Sequence, residues 1–291
     1  MTGQLKIHFS VMKAFGNTLF FLLFLVAGSL PLHSQVERVM TFNIRFANPA
    51  DGINQWENRK EAVADFLLYY QPMIFGVQEA LISQLEFMDE HLPDYSRIGV
   101  GRDDGEEKGE FSAIYFNHTK LKLLDETTFW LSEEDSVVSV GWDASMERIC
   151  TVGLFEGIEN QQLILVLNTH YDHIGEEARE ESSKLILRKI QELNTQNFPV
   201  VLMGDFNSEP DHTPITILTE ELQDAASLAD GDIYGPVGTF TGFTENMVPT
   251  RRIDYIFVQD INVLSYRHID DRMPDNHYLS DHLPVMIEFS W

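Results

Sequence analysis

Val200-Val201-Leu202-Met203-Gly204-Asp205-Phe206-Asn207 runs four apolar residues straight into a glycine, a carboxylate and a carboxamide. A short, continuous apolar run of this kind reads as a strand buried on both faces. The polar residues that follow it then stand on the rim of a sheet, where a rigid scaffold can hold a site. Gly76-Val77-Gln78-Glu79 and Asn168-Thr169-His170 repeat the arrangement, and Ser280-Asp281-His282 sits at the head of the apolar run 283–289. Arg252-Ile253-Asp254-Tyr255 leads into Ile256-Phe257-Val258 in the same way. Histidines, carboxylates and asparagines gathered at strand ends point to metal-assisted hydrolysis at phosphorus.

Outward from these segments, residues 36–46 alternate as a first strand ending at Asn43-Ile44-Arg45, and 48–52 have loop chemistry. The spacing predicts a helix over 57–70, with Ala62, Phe66 and Tyr69 sharing a face beside Val63 and Leu67, stopped by Pro72. A short buried strand is expected at 73–77 and a second helix at 80–91. The polar, glycine-punctuated stretch 101–110 joins two strands, the second at 112–116. Further strands are expected at 151–155, 163–167, 200–203, 253–258, 261–266 and 283–289, with a long helix over 176–193. Helices and strands alternate irregularly, with hairpins where helices are missing. That pattern describes a layered α/β fold with mixed sheets, not one doubly wound sheet.

The chain has 291 residues, 44% of them hydrophobic and 23% charged, which is enough for one large core. No linker or repeat divides it, so a single catalytic domain is expected over 35–291. Residues 1–34 read as a cleavable signal peptide. Lys6 and Lys13 precede the apolar run 19–26, and Ala27, Gly28 and Ser29 follow it. Met12 is an alternative start, and cleavage is expected between Ala27 and Gln35. The apolar run is short for a bilayer, so the mature chain is expected to carry no stable membrane span and to act in the periplasm or outside the cell. Cys150 is the only cysteine, which excludes an intrachain disulfide and suits a buried filler. Net charge is −26, and the leader holds two lysines and no acid, so the mature chain is more acidic still. Such a surface repels polyanions and argues against tight, non-specific binding of duplex DNA, while a metal-lined cleft inside it can still be locally positive. A monomer is expected.

Asn43, Gln78-Glu79, Asn168-x-His170, Gly204-Asp205-x-Asn207, Asp254 and Ser280-Asp281-His282, in this order, resemble the endonuclease/exonuclease/phosphatase superfamily. The resemblance runs from about Val39 to the end. It implies a four-layer α/β sandwich: two mixed β-sheets packed face to face, with helices on both outer sides. It also implies dependence on Mg2+ or Mn2+, with Glu79 as principal metal ligand and Asn43 and Asp281 completing the metal and phosphate environment. By the same resemblance Asp205 orients or deprotonates the attacking water, and Asn207 holds the phosphate or a second metal. His170 and His282 grip the phosphoryl oxygens, and Asp254 bonds His282.

Physical chemistry leaves a second reading beside several of these. A carboxylate closing an apolar strand is costly unless a cation compensates it; for a lone Glu79 the dipole of a following helix would serve instead, and the motif set favours the ligand reading. Asp205 and Asn207 fall on one side of an extended segment, or form an Asx-turn before Pro210 with Ser208 or Asp211 capping the next helix. Arg148 looks like an arginine that the family uses near the scissile phosphate, and a surface ion pair with Glu147 or a neighbouring acid fits it as well. Asp172 and His173 are candidates for supporting roles. Tyr115 and the 238–243 loop, with Phe240 and Phe243, are candidates for lining the leaving-group side; simple packing is the second reading for Phe240 and Phe243.

The resulting expectation is a secreted, divalent-metal-dependent phosphoesterase acting on a phosphodiester or phosphomonoester. Its partner is a phosphoester of a small molecule, a lipid, a sugar or a nucleic acid. The chain lacks the basic, aromatic insertion with which DNA-repair members penetrate a duplex, and residues 48–54 carry no Lys or Arg. With the acidic charge, this favours small substrates over a secreted endo- or exonuclease. A catalytically silent module holding a glycan or a partner is the alternative from another class, and the intact acid and histidine set speaks against it.

Overall fold

Continuous apolar strands need cover on both faces, and the computed structural model shows how the chain supplies it. It describes residues 36–229, 233–245 and 247–290; the signal-peptide expectation lies outside them. Two six-stranded sheets form, each built round one parallel pair. In the first, β1 (Val36–Asn43) and β2 (Ile74–Ala80) run parallel and are joined through α1 (Trp56–Tyr70). Antiparallel strands extend that sheet on either side: β3 (Tyr95–Ile98) and β4 (Phe111–Asn117) beyond β2, β11 (Asn262–His268) and β12 (Val285–Ser290) beyond β1. In the second sheet β7 (Leu163–His170) and β8 (Val200–Asp205) are the parallel pair, joined through α3 (Glu176–Leu193). It is completed by β5 (Leu121–Trp130), β6 (Ile149–Gly157), β9 (Gln223–Asp224) and β10 (Asp254–Gln259), all antiparallel to their neighbours.

The sheets share one apolar layer that includes Val39, Ile74, Ile114, Val166, Val201, Ile256 and Ile287. Val63 and Leu67 of α1, with Leu85 of α2 (Ile82–His91), pack on Phe42, Phe75 and Tyr115 of the first sheet. Leu185, Ile186 and Ile190 of α3, with Ile215 of α4 (Thr213–Leu218), pack on Leu165, Leu202 and Phe257 of the second. Helix, sheet, sheet and helix make the four layers that the resemblance implied.

One expectation about a face needs correction. Along α1 the buried stripe is Trp56, Arg59, Val63, Phe66, Leu67 and Tyr70, so Tyr70 turns inward and Tyr69 is 77% exposed. The stripe set by Val63 and Leu67 continues to Tyr70 at a helical period, not to Tyr69. The edge strand β5, absent from the sequence reading, is exposed at its middle from Leu124 to Thr127; charged edges of this kind resist pairing with other chains.

Asn168 joins the sheets near the rim. From β7 it donates to the carbonyls of Val77 (3.0 Å) and Ala113 (2.8 Å) in the other sheet and accepts from Gln78 at 2.6 Å. Gly76 makes the room, since a Cβ there would meet the Asn168 side chain at 2.5 Å.

Candidate active site

Both parallel pairs end on the same rim, outside the carboxyl ends of their strands, which is where open α/β sheets place ligands. Asn43 ends β1, Glu79 lies near the end of β2, His170 ends β7 and Asp205 ends β8. Asp254 begins β10 directly opposite Asp205, and the turn before β12 carries Asp281 and His282. Glu79, His170, Asp205, Asn207, Asp281 and His282 line a cleft of about 360 Å³, walled by Arg148 and Phe240.

Three non-glycine residues at the rim hold left-handed backbone: Glu79 (φ 60°), Arg45 (φ 58°) and Asn207 (φ 48°). Each costs on the order of 1–3 kcal/mol, and such strain collects where a site needs a side chain aimed. Glu79 sits where the β2–β4 register slips between Val77 and Ala80, a bulge that redirects its carboxylate. There it accepts from Asn43 Nδ2 at 3.0 Å and Phe46 N at 3.2 Å, with the Arg45 guanidinium 3.6 Å away. The amide of Leu81 that opens α2 is served by Gln84 instead, so Glu79 does not cap that helix.

Asp205 is buried. It accepts from Asn43 Nδ2 at 3.0 Å and Asn207 N at 2.9 Å, and its carboxylate is 3.5 Å from His170 Nε2 and 3.7 Å from His282 Nε2. Burial, then the Asp254 charge opposite it, push its pKa up to about 7. Asp254 holds His282 Nδ1 with both oxygens, at 2.9 and 3.1 Å. Burial opposes a charge on His282, but Asp254 and Asp205 outweigh it and hold the imidazole well above its ordinary pKa.

His170 is unlike its counterpart. Burial, then Arg148 and Arg102, push it well below the ordinary value. Asn207 Nδ2 lies 3.1 Å from its Nε2, so the neutral ring accepts there and carries its proton on Nδ1. The expected pair of gripping histidines is therefore one cation and one neutral ring.

Two clusters could hold a metal. Ligand atoms of Asp205, Asp254 and His282 lie within 4.8 Å of one another. In this cluster both oxygens of Asp254 already engage His282 Nδ1, an arrangement suited to handling protons. Glu79 and Asp281 form an oxygen set that suits a hard divalent cation, and a positive charge already stands between them: Arg45 lies 3.6 Å from Glu79 and 3.9 Å from Asp281. Asn43 links the clusters, donating to Glu79 and Asp205 while its oxygen accepts from Arg45 N at 3.0 Å.

Other expectations change. Asn207 does not share an extended segment with Asp205; its left-handed backbone folds its own amide back onto the Asp205 carboxylate, the Asx-turn of the second reading. Neither Ser208 nor Asp211 caps α4, whose first position is preceded by His212 without a side-chain bond. Arg148 is buried, and its ion pair is with Asp172 at 3.3 Å, not with Glu147. His173 stands 3.0 Å from the same guanidinium. Tyr115 does not reach the cleft: its fully buried ring stacks on Phe75 under α2, and its hydroxyl donates to Asp89 at 3.0 Å. Phe240 does line the cleft, paired opposite His282 with ring centroids 5.1 Å apart. Phe243 packs instead over buried Arg59, which donates to the carbonyls of Ile44 and Leu279 and so braces two rim loops. The cleft also takes Arg45, Glu110 and Arg251. Only Arg45 had a signal, its place two residues after Asn43.

Residues 40–282 match the endonuclease/exonuclease/phosphatase family. The chain belongs to that family. Its members are metal-dependent phosphoester hydrolases and nucleases. A mannosyl-6-phosphatase of Bacteroides thetaiotaomicron is 37% identical over 88% of this chain and all of that one, with a TM-score of 0.84. A family protein of Bacteroides vulgatus is also 37% identical, over 88% of this chain and 99% of that one, with a TM-score of 0.82. A probable RNA exonuclease of Saccharomyces cerevisiae is 27% identical over 57% of this chain, which spans only 35% of the yeast protein.

Proposed function

We propose that this chain is an exported phosphomonoesterase that removes phosphate from a sugar phosphate with the help of Mg2+ or Mn2+. The observation that carries the reading is Asp205, a buried carboxylate raised to about 7, facing the charged imidazole of His282 at 3.7 Å in one cleft. A base poised near neutrality takes the proton of an attacking water, and the imidazolium stabilises charge growing on the phosphoryl oxygens. Held by Glu79 and Asp281, a hard divalent cation would supply Lewis-acid charge at the phosphoryl group. Asn43 keeps Glu79 and Asp205 in fixed relation, and Asn207 locks the His170 ring.

Three features support a small sugar monoester. The cleft, at about 360 Å³, has the size of a small-molecule site. Arg45 and Arg251 bring cationic groups to it inside a chain of net charge −26, as a dianionic terminal phosphate needs. The likeness to the mannosyl-6-phosphatase covers that whole chain. The likeness to the yeast protein favours an RNA exonuclease as second reading, against which the acidic surface weighs.

The test is turnover by the purified chain of p-nitrophenyl phosphate, bis(p-nitrophenyl) phosphate, hexose 6-phosphates and an RNA oligonucleotide, with EDTA, Mg2+ or Mn2+. Metal-restored turnover that is fastest on the sugar monoester is expected, and lost in His282→Ala. Faster cleavage of the diester, or RNA degradation that persists at moderate salt, would overturn the substrate class. Export rests on the leader 1–34 and is tested by following a reporter fused behind it; retention of the uncleaved fusion in the cytoplasm would overturn that part.

A further inference from the structure

Glu110 is out of place in a cleft that takes a phosphate, because a carboxylate repels a dianion. It belongs there as a metal ligand or as an acceptor for hydroxyl groups. Its surroundings favour the second. Arg102 grips both of its oxygens, Nη1 to Oε2 at 2.8 Å and Nη2 to Oε1 at 3.0 Å. Arg102 is itself fixed at the base of the 101–110 loop: its carbonyl accepts from Trp130 Nε1 at 2.9 Å and its amide donates to the Glu110 carbonyl at 3.1 Å. A carboxylate so neutralised and oriented is a weak magnet for a cation. It keeps lone pairs with which to accept from a hydroxyl.

The complementary donor lies on the same wall. Arg148 is 4% exposed; its Nε faces Asp172 and its Nη2 faces His173, but Nη1 has no hydrogen-bond partner among the described residues. Glu110, Arg148 and His170 also share a recess of about 10 Å³ that adjoins the cleft. His170 stands between this wall and the reacting centre, 3.5 Å from Asp205. A fixed acceptor beside a buried donor, one side chain away from the base, suits a group that both donates and accepts.

We infer that Glu110 and Arg148 read a ring hydroxyl of the sugar, Glu110 accepting its hydrogen and Arg148 Nη1 donating to its oxygen. The inference rests on the phosphomonoesterase reading and makes Glu110 a specificity-determining residue of that site. The family resemblance set Arg148 at the scissile phosphate; the geometry points to the leaving group instead.

The experiment compares kcat/KM of the full chain for hexose 6-phosphates with analogues lacking one ring hydroxyl each, in wild type and Glu110→Gln, with p-nitrophenyl phosphate as reference. One deoxy position should cost the wild type about 10- to 100-fold, as loss of a hydroxyl that bonds charged groups does. In Glu110→Gln that penalty should shrink to about threefold or less. The inference fails if no deoxy analogue is penalised in the wild type, a result that stands even where the variant does not fold. It fails if the penalty survives unchanged in Glu110→Gln. It also fails if that variant instead raises the metal concentration for half-maximal rate, which would make Glu110 a ligand. No turnover of p-nitrophenyl phosphate by wild type would sink the phosphomonoesterase reading itself, whereas turnover without hydroxyl discrimination sinks only this one.

Discussion

The units β1–α1–β2 and β7–α3–β8 have the same architecture and end on the same rim, yet they finish in different chemistry. The first closes on Asn43 and on Glu79 at a bulge, with Arg45 alongside, a set of oxygens around a positive charge. The second closes on His170 and Asp205 and receives Asp254 across the β8–β10 ladder, which crowds two carboxylates onto one imidazolium. Burial separates them further: the Glu79 side chain is 13% exposed and that of Asp205 1%. A carboxylate with an open side can meet a cation, whereas a sealed one beside a like charge shifts its pKa and becomes a base. Repeated strands place the residues; the bulge and the degree of burial decide what they do.

The harshest attempt to break this division is Asp205→Asn. If the second unit supplies the base, kcat falls about 10³- to 10⁴-fold, while circular dichroism and thermal stability hold or improve, because a buried like-charge contact is gone. A loss under about tenfold would remove the base from Asp205. The pH profile sharpens the same point. Asp205 works deprotonated, so its raised pKa makes kcat/KM fall as pH drops below about 7. His282 works protonated, and its raised pKa puts the alkaline fall well above the ordinary histidine range. Asp254→Asn removes the like charge from Asp205 and the counter-charge from His282, so both limbs move to lower pH. A profile whose limbs stay put would separate Asp254 from this cluster.

Within the second unit the two histidines come next. His282→Gln removes a charge aimed at the reacting group and should cost about 10²- to 10³-fold in kcat. His170→Gln removes a neutral, hydrogen-bonded ring and should cost about tenfold. Equal losses would erase the distinction between cation and neutral ring. In the first unit Glu79→Gln should act through metal: the concentration for half-maximal rate rises at least about 10- to 100-fold, and excess Mn2+ restores much of kcat. A loss that no metal concentration rescues would move Glu79 out of the cation site.

The division was partly visible in the sequence. Apolar runs ending in acids, amides and histidines exposed the rim, because a strand buried on both faces has no other place for such residues. The helix over 176–193 coincided with α3, since its apolar residues keep a helical period beside charged ones. What escaped depended on backbone or on distant partners. The left-handed turns at Glu79 and Asn207 leave no mark on composition, so for Asn207 an extended segment and the Asx-turn that forms stood side by side. Tyr115 looked accessible because nothing local reveals that α2 covers it. The neutral state of His170 comes from burial beside Arg148 and Arg102, the latter 68 positions away in the chain, and Glu110 lay in a loop that read only as polar.

The smallest effect concerns the joint between the two units. Asn168 is fully buried and ties β7 to the carbonyls of β2 and β4 and to Gln78, so it keeps the cation rim and the base rim in register. It touches neither Glu79 nor Asp205 through any hydrogen bond among the described residues. Asn168→Ala should therefore cost stability on the order of 1–3 kcal/mol, because buried partners lose their bonds, and lower Tm by roughly 2–4 °C for each kcal/mol. At temperatures where the variant is folded, kcat should stay within about threefold of wild type, as a loss confined to one structural hydrogen-bond set predicts. Gly76→Ala presses on the same joint from the other sheet, and its Cβ should displace the same side chain with a similar loss of Tm. A large fall in kcat at unchanged Tm would mean that Asn168 takes part in the chemistry, and the two rims would then be one site held by a shared residue instead of two units held in register.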